Sequence, residues 1–305
     1  MSVPCRSSRG FILITVLFMS TLILSAAASL AWFARLQMRR VSGEEFAMVS
    51  RSLVEVSCLT VAGWIAGDGN EFDSAFELLY SDKIPLMLSF NEWDVFIKIT
   101  PLDRLLPING IFLPDGVTIK SEYEYPWQEI WARLGEVQTA VTLLDFLDRN
   151  TEARPGGRED DYFLNRGICH MSELLYLPEI TPRMLYGEVA SADAIDTFFS
   201  VYCEDKININ FAPANVLSVL DAQINQGVVS SILMFRQDAS ITSMKDLIKV
   251  PGFPLSATAK LENIIGYRSS YFSVDMKVEH GDEERNFNIV LKRSGNTCQI
   301  INWRE

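Results

Sequence analysis

Six carboxylates crowd one short stretch of the chain: Asp145, Asp148, Glu152, Glu159, Asp160 and Asp161. They flank Arg154-Pro155-Gly156-Gly157, a run whose composition favours turns over regular structure. Carboxylate oxygens gathered on a flexible loop suit Ca²⁺, which takes about six to eight oxygen ligands. The spacing is not that of an EF-hand, and two readings stand side by side. In one, Asp148, Glu152, Glu159, Asp160 and Asp161 hold a structural Ca²⁺ ion. In the other, the loop is a solvated acidic surface. Catalysis finds less to work with. The only histidines are His170 and His280. There is no nucleophile elbow and no paired-histidine zinc motif, and the adjacency of Cys169 and His170 does not by itself make a dyad. The expectation is a protein that is not an enzyme.

The second chemical feature is a single peptide bond. Arg9-Gly10-Phe11 stands directly before 24 uncharged residues, Phe11 to Ala34. At 1.5 Å per residue such a helix spans roughly 36 Å, enough for a hydrocarbon core of about 30 Å. One reading is a secretory signal, with Arg6 and Arg9 as its basic region and cleavage at Ser25-Ala26-Ala27-Ala28. A second is a plain anchor. A third is a class III, prepilin-type signal: the leader is cut before the apolar helix, and the helix is kept. Leu30, Trp32, Phe33 and Leu36 carry the apolar character past the secretory site, which favours a retained helix. Arg6 and Arg9 on one side, and Arg35, Arg39 and Arg40 on the other, leave the orientation undecided by charge.

The elements that position these features follow from periodicity. Phe46, Val49, Leu53, Val56 and Thr60 recur at helical steps up to the breaker Gly67-Asp68-Gly69-Asn70. The whole reads as one helix of about 55 residues. Val95, Ile97 and Ile99 alternate as in a strand, and Val117–Tyr123 reads as a short second one. Helical patterns fill the middle: Trp127–Leu134, Val137–Leu147, Met171–Leu177, Pro182–Leu185, Ala214–Leu220, Val228–Arg236, Met244–Lys249 and Ala257–Ile265. Ser172-Glu173 and Thr181-Pro182 serve as start signals. Period two returns at the end, with Phe272, Val274, Met276 and Val278, then Phe287, Ile289 and Leu291, then Thr297 to Trp303. Turns at Gly281-Asp282 and Ser294-Gly295-Asn296 make this a three-stranded antiparallel meander.

The predicted fold is α+β: a long N-terminal helix packed on a small antiparallel sheet, with a large all-α domain inserted in the sheet. The bounds are 1–10 for a leader, 11–34 for a transmembrane helix and 35–66 for its continuation. The sheet domain takes 71–104 and 269–305, and the insertion takes 105–268. Without Arg6 and Arg9 the 27 basic residues become 25 against 39 acidic ones, a balance of −14 that disfavours DNA over most of the surface. Cys5, Cys58, Cys169, Cys203 and Cys298 form no Cys-x-x-Cys pair, against zinc or thioredoxin-like chemistry. The last four either pair in an oxidising compartment or stay free.

Several segments in order carry a resemblance. They are Arg9-Gly10-Phe11; Asp145-Phe146-Leu147-Asp148 with Arg154-Pro155-Gly156-Gly157 and Glu159-Asp160-Asp161-Tyr162-Phe163; Ser172-Glu173-Leu174-Leu175 with Ile180-Thr181-Pro182; Ile207-Asn208-Ile209-Asn210-Phe211-Ala212-Pro213; and Ser273-Val274 with the closing Trp303. Together they resemble the K-type minor pseudopilins of type II secretion, the largest of the minor pseudopilins. The resemblance implies cleavage between Gly10 and Phe11 by a prepilin peptidase and N-methylation of Phe11. It implies a single-pass protein of the inner membrane with its bulk in the periplasm, and a complex with I- and J-type minor pseudopilins. It further implies a place at the tip above the major pseudopilin, in reach of secreted cargo or the outer-membrane channel. It also allows Ca²⁺.

Major subunits of this type carry Glu at the fifth mature position, where it pairs with a neighbour's N-terminal amine inside an apolar core. Here that position is Thr15. A subunit with no neighbour above it gains nothing from a buried carboxylate. The plainer reading is a membrane-helix hydroxyl bonded to a preceding carbonyl.

The stretch 205–266 looks like a helix-hairpin-helix module, with Ile207–Arg236, Ser243–Phe253 and the turn Val250-Pro251-Gly252-Phe253. In nucleic-acid binders such hairpins offer backbone N–H groups to phosphate. The Gly-hydrophobic-Gly turn is missing here and basic residues are sparse (Lys245, Lys249), so a scaffold for protein contacts is expected and nucleic acid is not. A membrane-anchored competence-type DNA receptor is the competing class.

Overall fold

The computed structural model describes residues 9–81, 85–187 and 194–305, and the side chains from Phe11 onward. The leader segment 1–8, with Cys5 and Arg6, lies outside the described residues, as do the side chains of Arg9 and Gly10. Two compact units divide the chain, Met1–Val56 and Ser57–Glu305.

Helix α1 runs unbroken from Arg9 to Gly67. Ser42-Gly43 does not interrupt it, and it stops at the Gly-rich breaker. Its apolar beginning is exposed throughout, from Phe11 (75%) to Leu36 (53%). In the second unit its last turns bury Ser57, Cys58, Val61, Ala62 and Ile65. The helical face is real, but its phase differs from the expected one. Val56 is 52% exposed, and the buried stripe passes through the residues just after it.

One five-stranded antiparallel sheet forms from β1 (Leu86–Phe90), β2 (Trp93–Pro101), β3 (Tyr271–His280), β4 (Glu283–Ser294) and β5 (Thr297–Arg304), in that order. Asn91-Glu92, Gly281-Asp282 and Gly295-Asn296 make two-residue turns. Each opens on a left-handed residue, with φ of 55°, 59° and 58°. That geometry matches strand twist and favours Asn or Gly there. Val95, Ile97 and Ile99 on β2 alternate with more exposed neighbours. Phe272, Val274, Met276 and Val278 on β3 do the same, as do Phe287, Ile289 and Leu291 on β4. A register shift between Val290 and Leu291 bends the outer pairing to β5.

Between β2 and β3 the chain leaves the sheet and builds a second core. Helices α2 (Ser121–Leu134), α3 (Val137–Leu147), α4 (Gln226–Asp238), α5 (Met244–Ile248) and α6 (Thr258–Ile264) carry it, with one-turn pieces between them. Tyr123, Trp127, Trp131, Phe146, Phe198 and Phe199 anchor one continuous apolar cluster.

Local rules explain where the elements differ from expectation. The strand expected at Val117–Tyr123 is a turn instead. The Asp115 carboxylate accepts the N–H groups of Val117 and Thr118, both at 2.9 Å, and α2 opens at Ser121. Pro126 reads as a boundary because it lacks an N–H, yet it lies inside α2, which ends on left-handed Gly135 (φ 74°). The segment at 171–177 is a tight 3₁₀ turn, Met171–Tyr176. Its cap is His170 rather than Ser172: Nδ1 accepts the Ser172 N–H at 3.1 Å. Thr181 does cap Pro182–Tyr186, accepting from Met184 at 3.3 Å. The helix expected over Ala214–Leu220 covers only Ala214–Leu217.

Candidate functional site

At the N-terminal end, the bond between Gly10 and Phe11 lies in the first turns of α1. From Phe11 on, the helix is long and apolar enough to cross a membrane. The Thr15 hydroxyl donates to the Phe11 carbonyl at 2.7 Å. Ser20, Thr21, Ser25 and Ser29 make the same kind of bond three or four residues back. Each hydroxyl is thus satisfied within its own helix, with no polar partner required from outside. Position 15 offers no carboxylate.

The acidic loop follows α3. Asp145, in its last turn, and Asp148, just beyond it, are fully buried. Burying an ionised carboxylate is costly without a partner. Arg154 is that partner: Nη1 reaches Asp145 Oδ1 at 2.9 Å and also pairs with Asp148, Nη2 donates to the Val117 carbonyl, and the Arg154 N–H donates to Asp145 at 3.1 Å. Burial still pushes the Asp148 carboxyl up. It does the same to Glu159, where the nearby Asp148 and Asp145 charges add to it. Arg158 pairs with Asp160 at 2.7 Å and with Glu179 at 2.6 Å. Glu152 and Asp161 are exposed. Asp148, Glu152, Glu159, Asp160 and Asp161 are therefore not drawn to one point. Within the loop, Arg154 neutralises the two buried carboxylates. Gly157 is required here, because a Cβ on it would lie 1.9 Å from Asp145 Oδ2.

Where the insertion meets the sheet, Asp103 closes the neck. It is 4% exposed and accepts the N–H groups of Ser270 at 2.5 Å and Tyr271 at 3.0 Å. The Leu102 N–H reaches the Tyr271 carbonyl at 2.8 Å. Burial nonetheless pushes the Asp103 carboxyl up to about 7.

A solved structure has a similar fold. It is the crystal structure of the GspK-GspI-GspJ complex from the enterotoxigenic Escherichia coli type 2 secretion system. The chain matches it with a TM-score of 0.63 and 14% identity, over 87% of this chain and 98% of that one. The chain shares a pseudopilin-like fold with it. No protein-family model matches the sequence, and no curated protein does.

The asparagines of Ile207–Pro213 serve the fold. Asn208 Nδ2 donates to the Asp73 carbonyl at 3.2 Å and to Ser269 Oγ at 2.9 Å. Asn210 exchanges two bonds with the backbone of Ile241, both at 2.9 Å. In the hairpin-like part, left-handed Gly252 (φ 79°) makes the turn after α5. Three of its four lysines are engaged: Lys249 with Asp246 at 2.8 Å, Lys260 with Asp221 at 3.5 Å, and Lys206 with the Glu262 carbonyl at 2.8 Å, while Lys245 is exposed. Arg236 donates to the carbonyls of Ile209 and Ala212, and burial lowers it to about 10.

His170 is held by its capping role, with the Glu173 carboxylate accepting its N–H at 2.9 Å. His280 stacks on Trp93 at 4.2 Å. Cys58, Cys169, Cys203 and Cys298 are free thiols. Burial pushes Cys58 and Cys298 up to about 11, and the neighbouring Cys298 adds to the shift at Cys58. That keeps both thiols protonated and poorly nucleophilic.

Proposed function

We propose that the chain is a non-enzymatic minor pseudopilin of the K type, which caps the tip of a type II secretion pseudopilus and helps to start its assembly. The observation that carries this reading is the placement of the insertion. A pseudopilin-like helix and sheet are kept, and a second core is spliced between the adjacent strands β2 and β3. Bulk at that point favours a terminal position, because a subunit stacked above would have to accommodate it. Thr15 supports the same reading: bonded to its own helix, it needs no neighbouring amine. The matched structure is a complex of three such proteins. The partners proposed here are accordingly I- and J-type minor pseudopilins, with the major pseudopilin below, and contacts to cargo or the outer-membrane channel above. A prepilin peptidase would cut between Gly10 and Phe11 and leave Phe11 methylated in the inner membrane.

The DNA-receptor reading has weaker support, since four of the five cations of 205–266, namely Lys206, Arg236, Lys249 and Lys260, are committed within the fold and Lys245 stands alone against an acidic balance. The test is intact mass spectrometry of the chain after co-expression with a prepilin peptidase. The expected product begins at methylated Phe11. A product beginning near Ser29 would overturn the proposal, because the helix would then have been discarded.

A further inference from the structure

The carboxylates that do converge on one point lie outside the 145–161 loop. Asp68 directly follows the last residue of α1, Asp73 sits in the loop beyond, and Glu77 precedes the 3₁₀ turn Leu78–Tyr80. One oxygen from each of the three lies within 4.8 Å of the others. Three carboxylates offer an all-oxygen donor set, the kind that hard divalent cations take. Ca²⁺ accepts flexible geometries with about six to eight oxygens, whereas Mg²⁺ demands near-ideal octahedral geometry and gives up its waters reluctantly, so an irregular protein cluster suits Ca²⁺ better.

Charge points the same way. Arg293, with its side chain 4% exposed, reaches Asp73 Oδ2 at 2.5 Å and Asp68 Oδ2 at 3.4 Å. One guanidinium against three carboxylates leaves two negative charges, the complement of a divalent cation. Most of the oxygens have donors. Asp73 Oδ2 also accepts the Ser269 N–H, Asp68 Oδ1 accepts the Asn70 N–H at 3.1 Å, and Glu77 accepts the Ser74 N–H at 3.0 Å and the Asn70 side-chain amide. One oxygen is the exception. Asp73 is fully buried, and among the described residues its Oδ1 has no hydrogen-bond partner. A buried carboxylate oxygen without a donor is unfavourable unless something positive faces it. A cleft of about 720 Å³ is lined by Asp68, Asn70, Glu77 and Tyr80, so two of the three carboxylates face it.

We propose that Asp68, Asp73 and Glu77 bind one Ca²⁺ ion, with Asp73 Oδ1 as its innermost ligand. Water and the Asn70 side-chain carbonyl complete the shell, while Arg293 keeps the other Asp73 oxygen turned away and fixes the carboxylate's orientation. The ion would pin the end of α1 to the loop before β1 and, through Arg293, to β4.

The test uses the full chain in detergent, stripped with a chelator and titrated with CaCl₂ by calorimetry. Terbium luminescence, excited through Tyr80 and Trp64 on the same cleft, gives a second readout. The expected result is one saturable Ca²⁺ site that Mg²⁺ fills poorly. Glu77→Gln and Asp68→Asn, which leave buried Asp73 in place, should each weaken Ca²⁺ on the order of tenfold or more. Glu159→Gln, in the 145–161 loop, should leave the titration unchanged. Absence of saturable binding by the wild-type chain overturns the proposal. So does loss of binding in Glu159→Gln with none in Glu77→Gln, since the ion would then sit in the other loop.

Discussion

Replacing Arg154 with alanine tests the account of the acidic loop most directly. The change removes the counter-charge of two carboxylates with no exposure, Asp145 and Asp148, together with a bond to the Val117 carbonyl. Removing one partner of a buried ion pair costs about 3–5 kcal/mol, because the charge left behind has neither water nor a donor. For a unit the size of Ser57–Glu305, each kcal/mol moves the melting temperature by about 2–4 °C, so the expected drop is roughly 6–20 °C. Differential scanning calorimetry of the full chain in detergent reads it. The triple change Arg154→Ala, Asp145→Asn, Asp148→Asn should recover most of the loss, because removing both sides of a pair is nearly neutral. Millimolar Ca²⁺ should recover part of it in the single variant, by supplying the missing charge at the place where the sequence led us to expect the ion. If the single and triple variants melt alike, the arginine works through packing (its guanidinium lies 5.7 Å from the Phe112 ring) and the electrostatic reasoning fails.

Two further expectations concern the neck and the second core. Asp103 has a folded pKa raised to about 7 by burial. A raised carboxyl favours the protonated form when folded, so the stability it contributes is complete below the unfolded value near pH 4 and is lost as pH climbs through about 7. The loss is bounded at about 4 kcal/mol. Denaturant midpoints should therefore fall from pH 5 to pH 8 in the wild type and fall less in Asp103→Asn; identical slopes would refute it. Asn210→Ala should cost about 2–5 kcal/mol, measured by urea unfolding, since it strands the N–H and carbonyl of fully buried Ile241. A loss below 1 kcal/mol would mean that water replaces the amide.

The legible parts of this chain are those governed by local period. Alternating Val95, Ile97 and Ile99, and the matching runs on β3 and β4, announce strands because each face of a sheet sees every second residue. The apolar start of α1 is equally plain. Legibility fails where a side chain decides locally. Asp115 turns the chain at Val117-Thr118, where β-branched residues suggest a strand. Val56 fits the expected stripe, yet the face is set by the residues beside it. The acidic loop is visible as composition, but the role of Arg154 is hidden because it sits inside the run it neutralises. The group Asp68, Asp73 and Glu77 escaped altogether. Asp68 registers only as part of a helix breaker, and the group's counter-charge, Arg293, follows Asp73 by 220 positions. The signal that could have found it is the recurrence of Asp68, Asn70, Asp73 and Glu77 within one short loop.

Neighbouring strands β2 and β3 are separated by about 170 residues, where a hairpin would use about four; closing the longer loop carries roughly 3 kcal/mol more entropy cost. That penalty shrinks once the intervening segment has collapsed and its two ends emerge side by side, as the Asp103 contacts to Ser270 and Tyr271 hold them. The order of events is thereby constrained. The spliced-in core must mature first and then deliver β3 to its waiting neighbour. A nascent chain tethered by its front end would carry an unfinished edge, β2, until Tyr271–His280 had been synthesised. Such an exposed edge invites mispairing with other chains, and the hazard ends only when β3 arrives to cover it.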